Sequence, residues 1–132
     1  MEIARGHRTW FVADGYLPST PGEAVRPSGY ISHESLCVLN CGPLPTECTL
    51  DLYFEDRDPI QGIVFTVGAE RTLHYRLDKA RDLQGNLLPR DVPYALRLSS
   101  LEKVIVQHTR VDVTQPNLAL LSVMAWALPE AG

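Results

Sequence analysis

The sequence is short of lysine, of charge of one sign, of long apolar runs and of paired cysteines, and each shortage argues against a class of protein. Sixteen acidic residues against twelve basic ones give a formal net charge of -4, and no Lys/Arg run interrupts that balance. Gripping nucleic acid or anionic lipid by bulk electrostatics is therefore disfavoured. Ten of the twelve basic residues are arginine, whose planar fork suits carboxylates, phosphates or partner surfaces, so any anion site is local. The longest nearly apolar run, Leu118 to Leu128, falls far short of the ~20 residues that cross a bilayer. The opening "MEIARGHRTW" has no apolar signal core. A cytoplasmic protein without membrane insertion is expected. Cys37, Cys41 and Cys48 are an odd number without a CxxC pair, which argues against a disulfide scaffold or zinc ribbon and for free, mostly buried thiols. There is no internal repeat and no low-complexity tract.

What is present is alternation. A chain of 132 residues, 45% of them apolar, can bury one core, and one domain over residues 1–132 is the expectation. In "ECTLDLYF", Cys48, Leu50, Leu52 and Phe54 share one face, and Thr49, Asp51 and Tyr53 the other. Ile63, Phe65 and Val67 repeat the pattern in "GIVFTV", as do Leu73, Tyr75 and Leu77 in "TLHYRL". With "TWFVAD", "SLCVLN", "YALRLS", "KVIVQHTR" and "LALLSVMAWAL" this makes about eight strands. The joints "LPSTPGEAVRPSG", "CGPLP", "DRDP" and "LQGNLLPRDVP" hold most of the ten prolines and forbid long helices. "NLALLSVMAWAL" lies between Pro116 and Pro129 and reads as a strand buried on both faces. The fold class is all-β, a single-domain antiparallel β-sandwich with a proline-rich loop near residues 17–29.

The polar residues crowd in a few places. "VIVQHTRVD" begins as an apolar strand and ends in Gln107, His108, Thr109, Arg110 and Asp112. Residues two apart on a strand share a face at about 6.6 Å, so His108 and Arg110 point together, on the face of Val104 and Val106, while Gln107 and Thr109 point oppositely. Such a pair at a sheet edge can aim several donors into one pocket, joined by Asp112 if the strand continues. Alternatively, Arg110 and Asp112 pair and cap the sandwich. In "ISHES", Ser32, His33 and Glu34 do not make a hydrolytic set, because consecutive strand residues face opposite ways and no GxSxG elbow exposes a nucleophile. Glu34 can still accept from an arginine, and His33 can bind a ligand or steady a loop; Ser32 reads as structural. Thr72, His74 and Arg76 share a solvated or subunit-facing surface. Among the aromatics Trp10 fills the core, whereas Tyr16, in the turn "ADGYLP", is the better contact residue; Tyr30 and Trp126 are scattered aromatics that a saccharide or partner surface could use.

Several stretches, in order along nearly the whole chain, resemble the sensory rhodopsin transducer family: Trp10, "ADGYLP", "ISHES" with "CVLN", "ERTLHYR", "VIVQHTRVD" and "ALLSVMAWA". The resemblance implies a small antiparallel β-sandwich that assembles as a cytosolic homotetramer, and a soluble partner of a membrane receptor or other signalling protein, with a sugar or other small polar ligand as a further expectation. Gene regulation is associated with the rhodopsin-linked branch. If the polar cluster is a family site, the positions carried over are His33 and Glu34, Arg71 and His74, and Gln107, His108, Arg110 and Asp112. The loop "LPSTPGEAVRPSG" and "ARDLQGNLLPR" depart from the family pattern and specify no rhodopsin.

The functional expectation is a non-enzymatic binding and signalling module without a cofactor. Two alternatives stand beside it. One is a metal-assisted enzyme using His33, His74 and His108, which lack HxH or HExxH spacing and need tertiary convergence. The other is a DNA-binding regulator, which needs arginines from several subunits on one surface.

Overall fold

The computed structural model describes residues 5–19, 31–79, 81–115 and 118–130. Most of the proline-rich loop near 17–29 lies outside them, as does Tyr30. The described residues form eight strands and no helix: β1 (His7–Gly15), β2 (His33–Asn40), β3 (Thr46–Phe54), β4 (Ile60–Val67), β5 (Arg71–Arg76), β6 (Tyr94–Asp112), β7 (Ala119–Met124) and β8 (Trp126–Ala127). No helix of theirs is thus long and apolar enough to cross a membrane.

All strand pairs are antiparallel, and β6 joins them into two layers. Its first half, from Tyr94 to Ser100, lies between β3 and β1, with β4 beyond β3 and β8 beyond β1. Its second half, from Ile105 to Asp112, lies between β2 and β7, with β5 beyond β2. The sequence suggests two strands here, "YALRLS" and "KVIVQHTR"; the structure has one of 19 residues. Neither proline nor glycine occurs between Tyr94 and Asp112, so nothing breaks the chain where it passes from one layer to the other.

Around that passage lie buried and half-buried polar groups. The Thr46 and Ser100 hydroxyls are 3.1 Å apart, Ser100 donates to the Glu102 carbonyl, and the Glu102 N–H donates to Thr46 Oγ1 at 2.9 Å. Trp10, buried as the sequence suggests, donates its indole N–H to the carbonyls of His7 and Val104. Beside it Gly6 has φ +104°, and a Cβ there would lie 1.9 Å from the Val104 carbonyl oxygen; only glycine allows the chains this close.

The alternating faces pack as read. Leu36, Val38, Leu50, Leu52, Ile63, Val67, Leu96, Leu98, Val104 and Val106 are buried in one cluster, with Phe65 stacked on Tyr75 at its margin. Two expectations need correction. "LALLSVMAWAL" does form strands, broken at Ala125, but every residue of β7 is exposed instead of buried on both faces. Among the described residues β7 is an edge strand that pairs only with β6, and no second layer covers it. The thiols also differ: Cys48 is buried, Cys37 half-buried and Cys41 exposed. Burial pushes the Cys48 thiol up to about 11.

Candidate functional site

Register builds the site from the β2–β6 pair. Glu34 lies opposite Arg110, and Leu36 opposite His108. Alternation then sends Glu34, Leu36 and Val38 from β2, and Val104, Val106, His108 and Arg110 from β6, toward the same side. On that side of β6 Leu96, Leu98, Val104 and Val106 are buried, and His108 and Arg110 follow them toward its end. The Glu34 carboxylate, diagonal to His108 and opposite Arg110, is where their donors converge.

Glu34 is completely buried. Its Oε1 accepts from the Tyr94 hydroxyl at 2.5 Å and from His108 Nε2 at 2.6 Å. Its Oε2 accepts from the main-chain N–H of Tyr16 at 2.9 Å and from Arg110 Nε at 3.2 Å. An ionised carboxylate offers about four acceptor positions, and four donors occupy them here. Burial is expensive for a charge without partners; the ring of donors and the opposite charge of Arg110 make it tolerable. Burial, followed by the nearby negative charge of Glu34, raises the Tyr94 phenol well above its ordinary range, so Tyr94 is a hydrogen donor at neutral pH. Arg110, partly exposed, also donates through Nη2 to the Asp14 carbonyl at 3.0 Å, with Asp14 Oδ1 3.9 Å away.

Gly15 makes room for this arrangement. It lies opposite Tyr94, after an irregularity in β1 that follows Val12, and a Cβ there would come within 2.3 Å of the Tyr94 ring. Gly15→Ala is expected to push that ring from Glu34 and to cost about 1–3 kcal/mol, measured by urea unfolding. An unchanged midpoint would show that the phenol has no fixed seat.

Outside this buried knot lies a cleft of about 290 Å³. His108, Arg110 and Asp14 form its polar end, and Phe11, Val123 and Trp126 are among its apolar walls. The Phe11 and Trp126 rings are 5.9 Å apart.

The sequence profile of the Anabaena sensory rhodopsin transducer family matches residues 5–127. The chain belongs to that family. A solved structure from Thermotoga maritima, described as Thermotoga maritima 1070, is 29% identical and superposes with a TM-score of 0.80, covering 95% of this chain and 97% of its own. The Anabaena sensory rhodopsin transducer is 34% identical with a TM-score of 0.70, over 83% of this chain and 92% of its own. No curated protein matches the sequence.

Of the positions that the resemblance to the transducer family singles out, the structure brings together Glu34, His108 and Arg110. Tyr16 joins through its main chain alone. His33, on the other face of β2, has Nδ1 3.0 Å from the Ile31 carbonyl. Arg71 is exposed and donates to the Glu70 carbonyl, and His74 is exposed on β5 opposite Cys37. Gln107 is exposed and, as alternation requires, faces away from His108. β6 does continue to Asp112, but that carboxylate accepts from the N–H and hydroxyl of Thr114 at 2.8 and 2.6 Å, which hold it below the usual range. It neither joins the Glu34 knot nor makes a hydrogen bond with Arg110. Ser32 is structural, accepting from the Val113 N–H at 3.0 Å. His33, His74 and His108 do not converge, and no three His, Cys, Asp or Glu side chains among the described residues are grouped to hold a metal ion. Sequence reasoning missed Tyr94 and Asp14. Tyr94 opens β6, and the next two inward residues, Leu96 and Leu98, are aliphatic; that was its one local signal.

Proposed function

We propose that this member of the transducer family is a non-enzymatic binding and signalling module that works in the cytoplasm as a homotetramer. Its cleft beside His108 and Arg110 takes a small polar ligand, and the occupied state is what a partner protein reads. The observation that carries this reading is the cleft itself: a concavity of small-ligand size with a polar end anchored from within by Glu34. The name of the Anabaena relative, a sensory rhodopsin transducer, supports a signalling role.

The assembly is supported by β7. Leu120, Leu121, Val123 and Met124 are 47–71% exposed on an edge strand. A strand greasy on both faces, with one backbone edge without a partner among the described residues, is suited to pairing with the same strand of a second copy across a two-fold axis.

Titration with a panel of sugars, nucleotides and small anions is expected to give saturable binding that His108→Ala or Arg110→Ala weakens by tenfold or more, about 1.4 kcal/mol. Wild-type affinity in both variants would remove the cleft from the site. In sedimentation, Leu121→Asp is expected to shift the protein to smaller species; an unchanged profile would place the interface elsewhere.

A further inference from the structure

A second concavity, of about 240 Å³, lies at the end of the first layer, where β3 finishes and β6 starts. It shares only Ala13 with the cleft beside His108. Two cross-strand pairs frame it, Tyr53 opposite Ala95 and Phe54 opposite Tyr94, and the segment leaving β3 adds Glu55. Three aromatic residues therefore line it together with small apolar ones, Glu55 is its one charged residue, and neither lysine nor arginine is among them. The Tyr94 hydroxyl already donates to Glu34. The polar side-chain groups left to meet a ligand are the Tyr53 hydroxyl and the Glu55 carboxylate.

The stretch that follows β3, "EDRD", sets the sign of the charge nearby. Arg57, its only base, donates to both carboxylate oxygens of Asp56, at 3.0 and 3.1 Å, so those two charges offset each other. Glu55 and Asp58 are exposed, and neither enters an ion pair among the described residues. Their negative charge is left over. The same arginine places its guanidinium 5.6 Å from the centre of the Phe54 ring, inside the ~6 Å at which a cation is drawn to an aromatic face. One aromatic of the concavity thus already attracts a cation of the chain's own. An incoming anion would meet Glu55 with no positive residue in the lining to offset it, and an uncharged ligand would gain the contact with the rings alone.

We propose that this concavity is a second binding site, for an organic cation: a guanidinium or alkylammonium group on an apolar stem, with Glu55 as the counter-charge and the aromatic and alanine residues as the seat of the stem. It does not depend on the cleft beside His108. A free amine and an arginine or lysine side chain of a partner protein carry the same chemistry, and the test separates them.

Butylammonium and butylguanidinium serve as free cations, and a blocked alanine-arginine-alanine tripeptide as the partner's side chain. Each is titrated at low salt into isotopically labelled full-length protein beside an uncharged counterpart: butanol, butylurea and the same tripeptide with citrulline for arginine. The cations are expected to move the Ala95 methyl and Phe54 ring resonances and to bind about tenfold tighter than their counterparts. A tripeptide that binds tighter than butylguanidinium assigns the site to a partner's side chain, and equal binding assigns it to a free cation; both uphold the site. Glu55→Gln keeps the size and removes the charge, and is expected to weaken every cation by about threefold or more while leaving the urea midpoint in place, since Glu55 is exposed. Glu47→Gln, exposed at the opposite end of β3, removes the same charge away from the concavity and should leave the affinities unchanged. Cations that bind no better than their counterparts, equal weakening by the two variants, or an Ala95 methyl that no probe moves would each overturn the proposal. None of these results bears on the cleft beside His108.

Discussion

Replacing Glu34 with alanine is expected to destabilise the protein by about 3–5 kcal/mol, the range for removing one partner of a buried ion pair. The side chain is fully buried and is the common acceptor of Tyr94, His108, Arg110 and the Tyr16 N–H. Its loss leaves a buried phenol, a buried imidazole and a main-chain N–H without a partner, each of which costs on its own. Arg110 is partly exposed, so water takes over some of its solvation and keeps the loss from growing further. Glu34→Gln keeps the shape but sets an N–H against donors, and is expected to fall between alanine and wild type. Urea unfolding measures both. A loss below about 1 kcal/mol for Glu34→Ala would mean that water enters the knot freely and that the carboxylate does not organise it.

Leu52→Ala is expected to cost about 2–5 kcal/mol. Leu52 is fully buried on β3, opposite Leu96 of β6 and paired with Ile60 of β4. Neighbouring strands fix the backbone on both sides, so the cavity can close only in part. Leu87→Ala, at a side chain 72% exposed, serves as the control and should change stability by less than about 0.5 kcal/mol. Equal effects at the two positions would contradict the inward face assigned to β3.

The inward face of β3 was legible because its alternation is local: Cys48, Leu50 and Leu52 declare it within five residues. The same rule put His108 and Arg110 on the face of Val104 and Val106, where the structure has them. "NLALLSVMAWAL" misled because apolar content says that a strand prefers cover without saying whether this chain supplies it; β7 lies at an edge with none among the described residues. Arg71, His74, Gln107 and Asp112 could not be separated from Arg110 by composition, since each is a polar residue on or beside a strand. Which of them meets a buried carboxylate depends on which strands lie side by side.

By itself, then, the sequence determined an all-β chain, the inward and outward faces of most strands, and a polar end to the inward face of β6. Nearest-neighbour sterics and alternation encode these within a few residues. The tertiary structure alone decided that Glu34, 74 positions before His108, is the acceptor on which that end converges, that β6 runs unbroken through both layers, and that β7 is left uncovered. Each of these follows from antiparallel pairing between distant segments, whose partners and register are chosen by the packing of the whole core.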